Sequence, residues 1–527
     1  MNCYFRTHIS KTSGIGNYIR CLRLALNIKK YGHKITIITD NKIDKFFLKK
    51  NINYIHLYKK KNDKFSELAD ANLFNKKTSI PGYIFVDDYR IGKTWQIETR
   101  NKHKKIIVID DFFKKKHHAD ILINTKPDLL IKKNRDKIFT TNKKSKILLG
   151  PKFAIIDKKC NDKIIKKNLK FKIAFYFGGS GDLNHSINII KQLLKTEKNK
   201  FEISIVVGPY SKNQTSLHDL KKKYDQIKII KPTLELSKKI KEFNLFISSA
   251  GISVFETALY KTPSIFFVTA DNQEVDFKCL EKLGHFFVLE KKDLKNVNKI
   301  CDLILLIFKE KKRIKKLINK REFTVDDKGC DRLIKEIFYP INSNSKFRQF
   351  NNELSKIKKI NYNKTFSVQS IKDNNINQYL DAKNLLINRK YSLNKKKIEK
   401  LDHYIWWFKN NRKSFVFKKD NKEILFFFHD IIKSKSLEVL VPGWYVCNKG
   451  NSYLDVLKGI KYQFKMLTTS KKLKNKMQIG IINKNNTSMI KFAPKLSWQL
   501  LNKDEKDFNS LSKVFNVNKS FNIYRRK

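Results

Sequence analysis

Phe246-Ile247-Ser248-Ser249-Ala250-Gly251-Ile252-Ser253-Val254-Phe255-Glu256 runs on to Pro263-Ser264-Ile265-Phe266-Phe267-Val268 and then to Asn272-Gln273. The apolar run 244–247 predicts a short strand. Ser248–Gly251 is a turn of small residues, and 252–260 has helical spacing with Val254, Ala258 and Leu259 on one face. Ser264–Val268 is the next strand. A small-residue turn lets backbone approach a ligand, and the helix behind it offers unpaired N–H groups and a positive dipole end to an anion such as a diphosphate. Glu256 lies one helical turn in, where its carboxylate could accept from ribose hydroxyls. Asn272 and Gln273 follow the second strand, at the carboxyl edge where open α/β sheets bind ligands. A plain strand–helix–strand unit with a tight turn would read the same way.

Working outward, the same grammar repeats. Asn2–Arg6 predicts a strand that opens into the polar loop 7–13 and Gly14-Ile15-Gly16-Asn17-Tyr18. Tyr18, Cys21, Leu22, Ala25 and Ile28 then share a helical face, Tyr31-Gly32-His33 stops the helix, and Lys34–Thr39 is a second strand. Tyr83–Val86, Lys105–Ile109 and Ala119–Ile123 are further strands, ending at Asp87-Asp88-Tyr89, Asp110-Asp111 and Asn124. These polar ends predict either a rim facing a cleft or capped turns. After a hinge over 150–165, Phe171–Phe177 leads into Gly178-Gly179-Ser180-Gly181-Asp182, whose glycines either bring backbone N–H groups to phosphate or merely turn the chain. Strands over 202–207, 227–230, 244–247 and 264–268 complete a second doubly wound domain. The expected domains are 1–150, 151–340, a polar linker over 341–364, and 365–527.

Composition narrows the class. The 527 residues suffice for roughly three domains, and 41% hydrophobic with 12% aromatic residues excludes a disordered chain. A net charge of +64 would ordinarily suggest nucleic acid, but Lys rises together with Asn, Ile and Phe and is spread over every segment. No specific nucleic-acid partner is therefore expected. Seven cysteines without a C-x-x-C spacing argue against a disulfide framework or a zinc site, and no metal is expected. There is no signal-like N-terminus and no run of ~18 apolar residues, so no transmembrane segment and a cytoplasmic location are expected.

The motif Ser249-x-Gly251-x-Ser253-x-x-Glu256, with Thr262-Pro263 and Asn272-Gln273, resembles the nucleotide-sugar half of GT-B proteins related to the lipid-II-forming N-acetylglucosaminyltransferase. Over residues 1–335 a series of segments in order resembles the hydrolase of pseudaminic acid biosynthesis, which removes UDP from UDP-2,4-diacetamido-2,4,6-trideoxy-β-L-altropyranose. They include Phe5-Arg6, Gly14-Ile15-Gly16, Arg20, Val86-Asp87-Asp88-Tyr89, Leu149-Gly150-Pro151, Phe177-Gly178-Gly179 and Asp326-Asp327-Lys328-Gly329. The resemblance implies two Rossmann-like domains in a GT-B-like arrangement and a UDP-sugar hydrolase of nonulosonic acid synthesis that needs no cofactor and works as a monomer. It implies nucleotide contacts at Gly178, Gly179, Ser249, Gly251, Ser253 and Glu256. Sugar contacts would come from Arg6, Gly16, Arg20, Asn272 and Gln273, with chemistry at position 17 and Tyr89. One departure bears on mechanism: the family's glycine loop ends in Gly-His, and here the residue is Asn17, which positions a water but cannot serve as general base. His8 stands where the family usually has an acidic residue and could relocate the base. A UDP-sugar glycosyltransferase and a non-catalytic sugar-nucleotide-binding protein are the alternatives.

Past the linker the pattern changes to a helix over 376–386, Asp402-His403-Tyr404-Ile405-Trp406-Trp407-Phe408, and an antiparallel meander over 414–417, 424–429 and 437–446. A helix over 453–466, a strand over 478–482, the stretch 485–492 and a strand near 521–524 follow. This pattern resembles the α+β fold of the GNAT acyl-CoA-dependent acetyltransferases, which implies acetyl-CoA as cofactor and a fused N-acetyltransferase. The loop matching the pyrophosphate-binding loop, Asn448-Lys449-Gly450-Asn451-Ser452-Tyr453, has one glycine. Trp406 and Trp407 suit either a core or a substrate contact.

Overall fold

Apolar strand runs alternating with helical spacing place Met1–Asn351 in two parallel sheets, while Asn352–Lys527 forms a separate unit around a mixed sheet. The computed structural model describes residues 1–10, 14–58, 65–127, 139–159, 170–197, 200–274, 279–340, 360–362, 365–410, 412–434 and 437–526. The first sheet contains β1 (Asn2–Thr7), β2 (Lys34–Thr39), β3 (Asn53–His56), β4 (Tyr83–Asp87), β5 (Lys105–Ile109), β6 (Ile121–Asn124) and β7 (Lys146–Leu149). Its order is β3-β2-β1-β4-β5-β6-β7, with every neighbour parallel. The second sheet contains β8 (Phe171–Tyr176), β9 (Phe201–Val206), β10 (Ile227–Ile230), β11 (Leu245–Ser249), β12 (Ser264–Val268) and β13 (Phe287–Glu290). It runs β10-β9-β8-β11-β12-β13, again all parallel.

In both sheets the chain reverses its direction of travel beside the first strand, between β1 and β4 and between β8 and β11. Those two switch points are where a doubly wound sheet opens a crevice at its carboxyl edge. The Gly14–Asn17, Asp87–Tyr89, Gly178–Asp182 and Ser248–Glu256 motifs leave these four strands, while Asp110-Asp111 and Asn272-Gln273 follow the neighbouring β5 and β12. Buried on both faces, the strands read as unbroken apolar runs; the burial of Phe5, Phe85, Ile107 and Ile123 on the face under helix Gly16–Lys29 is typical.

The range 151–340 does not stay with the second sheet. Helix Gly329–Phe338 returns to the first, setting Cys330, Leu333, Ile334 and Ile337 into the same core as Tyr18, Leu22 and Ile28. Its entry is tight, since a Cβ on Gly329 would lie 2.0 Å from the Ala154 carbonyl oxygen.

The second unit contains β14 (Ile360–Tyr362), β15 (Phe366–Ser370), β16 (Lys413–Lys419), β17 (Lys422–Ser434), β18 (Leu437–Val446), β19 (Gln478–Asn483), β20 (Gln499–Leu500) and β21 (Phe521–Arg526). Of the linker expected over 341–364 only Ile360–Tyr362 lie among the described residues, as β14, antiparallel to β15. β14 to β18 form the expected meander. β18 and β19 run parallel and share a single register pair, Leu440 with Gln478, so they part after it. The stretch 485–492 contains a helix, Thr487–Phe492. Among the described residues no helix is long and apolar enough to cross a membrane, and six cysteines are free thiols.

Candidate functional site

The carboxyl edge of the first sheet carries most of the charge, and that charge is largely paired with itself. Arg6, fully buried on β1, forks onto Asp70 (Nη2–Oδ2 2.7 Å, Nε–Oδ1 3.1 Å) and donates to the Thr7 carbonyl at 2.8 Å. Trp95 Nε1 and Tyr58 Oη also donate to Asp70, each at 2.8 Å. Arg6 was expected among the sugar contacts. At 0% exposure it is a framework residue that neutralises a buried carboxylate.

Arg20, on the first turns of helix Gly16–Lys29, forks onto Asp87 at 2.7 Å through Nε and Nη2, and its Nη1 meets both oxygens of Asp111 at 2.9 and 3.0 Å. Tyr89 donates its hydroxyl to Asp111 Oδ2 at 2.5 Å. Burial pushes the Asp87 carboxyl up to about 6 against the pull of Arg20. Burial also opposes ionisation of Asp111, but Arg20 and Lys126 outweigh it and hold that carboxyl down at about 2. The Tyr89 phenol is raised well above its ordinary value by burial and then by Asp111, so it stays protonated. Arg20 is thus a clamp across β4 and β5. Asn17 borders the same cluster, donating from Nδ2 to the Asp87 carbonyl at 3.3 Å.

Beside it lies a second chain of charge. Arg90 contacts Asp88 (Nη2–Oδ2 2.6 Å) and Asp40 (Nη2–Oδ2 2.8 Å), and Asp40 Oδ2 receives His8 Nδ1 at 2.5 Å. Burial would raise Asp40, but hydrogen bonding and charge from His8, then Arg6 and Arg90, hold it well below the usual carboxylate range. Asp40 and Arg90 were not singled out from the sequence. Asp40 ends a strand as Asp87 and Asp111 do, and the rule applied to those would have found it. Asp110 behaves as a turn cap, accepting from the Phe112 and Phe113 amides. A cavity of about 220 Å³ opens here, lined by Tyr89, Phe112, Lys114, Lys115, His117 and, from the second half, Asp271.

The carboxyl edge of the second sheet is small and nearly uncharged. The Gly178–Gly181 loop approaches the Gly14–Gly16 loop: a Cβ on Gly179 would sit 3.0 Å from Ile15 Cγ1, and one on Gly14 would sit 3.6 Å from Ser180 Oγ. Gly178 has φ +83°, a left-handed conformation that glycine holds without strain, and its Cβ position is 3.4 Å from Ser249 Oγ. Gly251 differs. Its φ is not positive and an added Cβ would meet nothing within 4 Å, so neither backbone nor packing requires glycine there. Ser253 turns inward, 3.3 Å from Ser248 Oγ, as in a plain tight turn.

Glu256 has a partner other than the one expected of it. At 4% exposure it receives Arg23 Nη2 at 2.5 Å, and the same nitrogen lies 3.0 Å from Asp157. Arg23, one turn beyond Arg20 on the same helix, thereby ties the first half to the second; its Nη1 is buried without a hydrogen-bond partner. Gln273 caps its own loop, accepting from the Thr269 amide at 2.9 Å. Asn272 lies on the same short helix, Asp271–Glu274. His285 was not anticipated: its Nδ1 is 2.7 Å from Ser264 Oγ and its Nε2 is 2.8 Å from the Val254 carbonyl, which pins the first turn of helix Ser253–Tyr260.

Residues 173–333 match the model of the Glycosyltransferase family 28 C-terminal domain. That match lies within the second parallel sheet and the helices around it, and the first sheet lies outside it. An uncharacterized protein of Methanocaldococcus jannaschii, MJ1062, is 26% identical over 264 residues, covering 48% of this chain. The match spans about half the length of that relative, 52%. Among solved structures, MurG of Acinetobacter baumannii is similar at 12% identity and a TM-score of 0.43, covering 64% of this chain and 99% of that one. The yncA structure from Salmonella typhimurium with its cofactor acetyl-CoA is similar at 7% identity and a TM-score of 0.24, covering 31% of this chain and 94% of that one.

Proposed function

We propose that residues 1–340 bind a UDP-linked 2,4-diacetamido-2,4,6-trideoxy hexose and hydrolyse it to free sugar and UDP, a step of nonulosonic (pseudaminic) acid synthesis. The observation that carries the nucleotide half of this reading is Gly251. It is free of conformational and packing demands, and it stands at a switch point before a helix N-terminus, so its missing side chain leaves room for something outside the chain. In this reading the diphosphate lies along the Ser249–Ser253 turn and the Gly178-Gly179 loop. The sugar faces Gly16, Asn17, Tyr89 and the 271–273 loop.

The chemistry needs a base that Asn17 cannot supply. His8 with Asp40 is the candidate pair: a carboxylate on Nδ1 orients the ring and supports the imidazolium that forms when Nε2 takes a proton. Water gives that proton to His8, its oxygen bonds to the anomeric carbon, and the bond from that carbon to the diphosphate oxygen breaks, the electron pair leaving with UDP. Tyr89 stays a donor in this scheme and Asn17 orients the water. Non-catalytic binding is a second reading, favoured by one observation: Asn17 and Tyr89 are both engaged in hydrogen bonds to Asp87 and Asp111.

UDP release from the purified protein tests the two readings. Hydrolysis predicts turnover that falls roughly 10²–10⁴-fold in His8→Asn. Saturable binding without release, in wild type and in Asn17→His alike, would favour the second reading. For the C-terminal unit, acetyl transfer remains the proposal, supported by the parting of β18 and β19.

A further inference from the structure

A cavity of about 260 Å³ in the second unit lies between helices Ile376–Asn384 and Lys400–Lys409 and the sheet, lined by Tyr379, Lys383, Asp402, Trp406, Arg412 and Tyr445. Its walls are aromatic. Tyr379 and Trp406 have parallel rings (centroids 6.3 Å apart, 15° between planes), and Tyr445 stands edge-on to Tyr379 at 5.5 Å. His403 is stacked on Trp406 at 5.5 Å, with Nε2 2.8 Å from the Ile376 carbonyl, and burial pushes it down to about 4, so it is a neutral wall.

The polar groups are mostly donors. Lys383 Nζ donates to Tyr445 Oη at 2.5 Å and lies 4.5 Å above that ring; a phenol is a weak counterpart for an ammonium, and burial, then Arg412, push Lys383 down to about 8. Arg412 sits 4.0 Å over Phe428 and 5.3 Å over Trp406 with its fork committed to Asp430 (2.9 and 2.5 Å). Tyr379, 2% exposed, has a hydroxyl buried without a hydrogen-bond partner. A buried hydroxyl without a partner and an ammonium without a carboxylate are costs a folded chain carries when a ligand completes them.

We propose that this cavity is a binding site for a small ring-bearing carboxylate, its anion on Lys383 Nζ and Tyr379 Oη and its ring against Trp406. Asp402, on the same wall, suits a hydroxyl or ammonium on the far side of the ligand. Two sources share this chemistry: a carboxylated pyranose and an aromatic amino acid. The volume admits either, and the site does not depend on the UDP-sugar reading or on acyl transfer.

Titration of the full chain with D-glucuronate and with L-phenylalanine, followed by calorimetry and tryptophan fluorescence, tests it, with methyl β-D-glucoside as the neutral control. Saturable binding of one carboxylate, weakened about tenfold or more in Lys383→Gln and in Tyr379→Phe and lost with the fluorescence change in Trp406→Leu, supports the proposal and identifies the source. Each variant is first shown to keep the wild-type unfolding temperature. Failure of both carboxylates to bind in the millimolar range would overturn it. So would binding equal in wild type and Lys383→Gln, or equal for the neutral sugar.

Discussion

The carboxyl edges of the two parallel sheets are built from opposite materials. The first is dense with charge: Arg6, Arg20 and Arg90 meet Asp70, Asp87, Asp88, Asp111 and Asp40 in continuous ion pairs. At its switch point the second is glycine, serine and alanine, with Glu256 taken by Arg23. Charged residues at a sheet edge can therefore belong to the framework, paired with one another. In this molecule arginines and aspartates satisfy each other and fix the strand ends, while Gly251 leaves space that the fold does not use.

This contrast can be broken by substitution. Arg20→Ala would leave Asp87 and Asp111 buried without their cation, and should cost roughly 3–5 kcal/mol in denaturant unfolding of the full chain. A loss near zero would mean that the edge is wet and its pairs dispensable.

His285 on the second edge and Asp87 on the first should answer pH in opposite senses. His285, which buttresses the second edge, is held down at about 4 by burial, from an ordinary 6.5. A depressed histidine contributes its stability in full above 6.5 and loses it as pH falls through 4. Its replacement in His285→Gln should flatten roughly 3 kcal/mol of that acid loss. Asp87 is raised to about 6, so its contribution is full below 3.8 and lost as pH rises through 6. Unfolding curves at pH 7, 5.5 and 4.5 for wild type and His285→Gln check the sign.

At the second edge, Gly251→Val should leave the unfolding temperature unchanged while weakening UDP binding by about a hundredfold, or roughly 2.7 kcal/mol. A variant that binds UDP normally would return Gly251 to the status of an ordinary turn residue. The smallest effect belongs to surface pairs far from either edge. Lys146→Ala removes an exposed bridge to Glu336 and should change stability by less than about 1 kcal/mol.

The architecture was largely legible because buried parallel strands announce themselves as apolar runs: Lys34–Thr39, Lys105–Ile109, Ile227–Ile230 and Ser264–Val268 are strands over the ranges read from the sequence. β3, β7 and β13 escaped because short strands with mixed ends, such as Asn53–His56, have no period to detect. The return of helix Gly329–Phe338 to the first core could not be read, since an amphipathic face does not say which sheet it covers. Site residues were legible by position, and the partners they take in the fold were not. Arg6, Arg20 and Glu256 do lie at strand ends or on the first turns of helices that follow them, but their partners come from residues 64, 67 and 233 positions away, which no local pattern specifies. In the second unit His403 read as part of a motif and is a neutral core histidine, while Lys383 and Tyr379 gave no signal because their meeting is made by tertiary packing.

The central claim is tested most directly by NMR of wild-type protein with UDP-2,4-diacetamido-2,4,6-trideoxy-altrose. The account predicts loss of the sugar-phosphate anomeric signal with appearance of free sugar and UDP, slowed in His8→Asn. An intact UDP-sugar at the end of the reaction, or a sugar recovered only as a glycoside of an added acceptor, would contradict it.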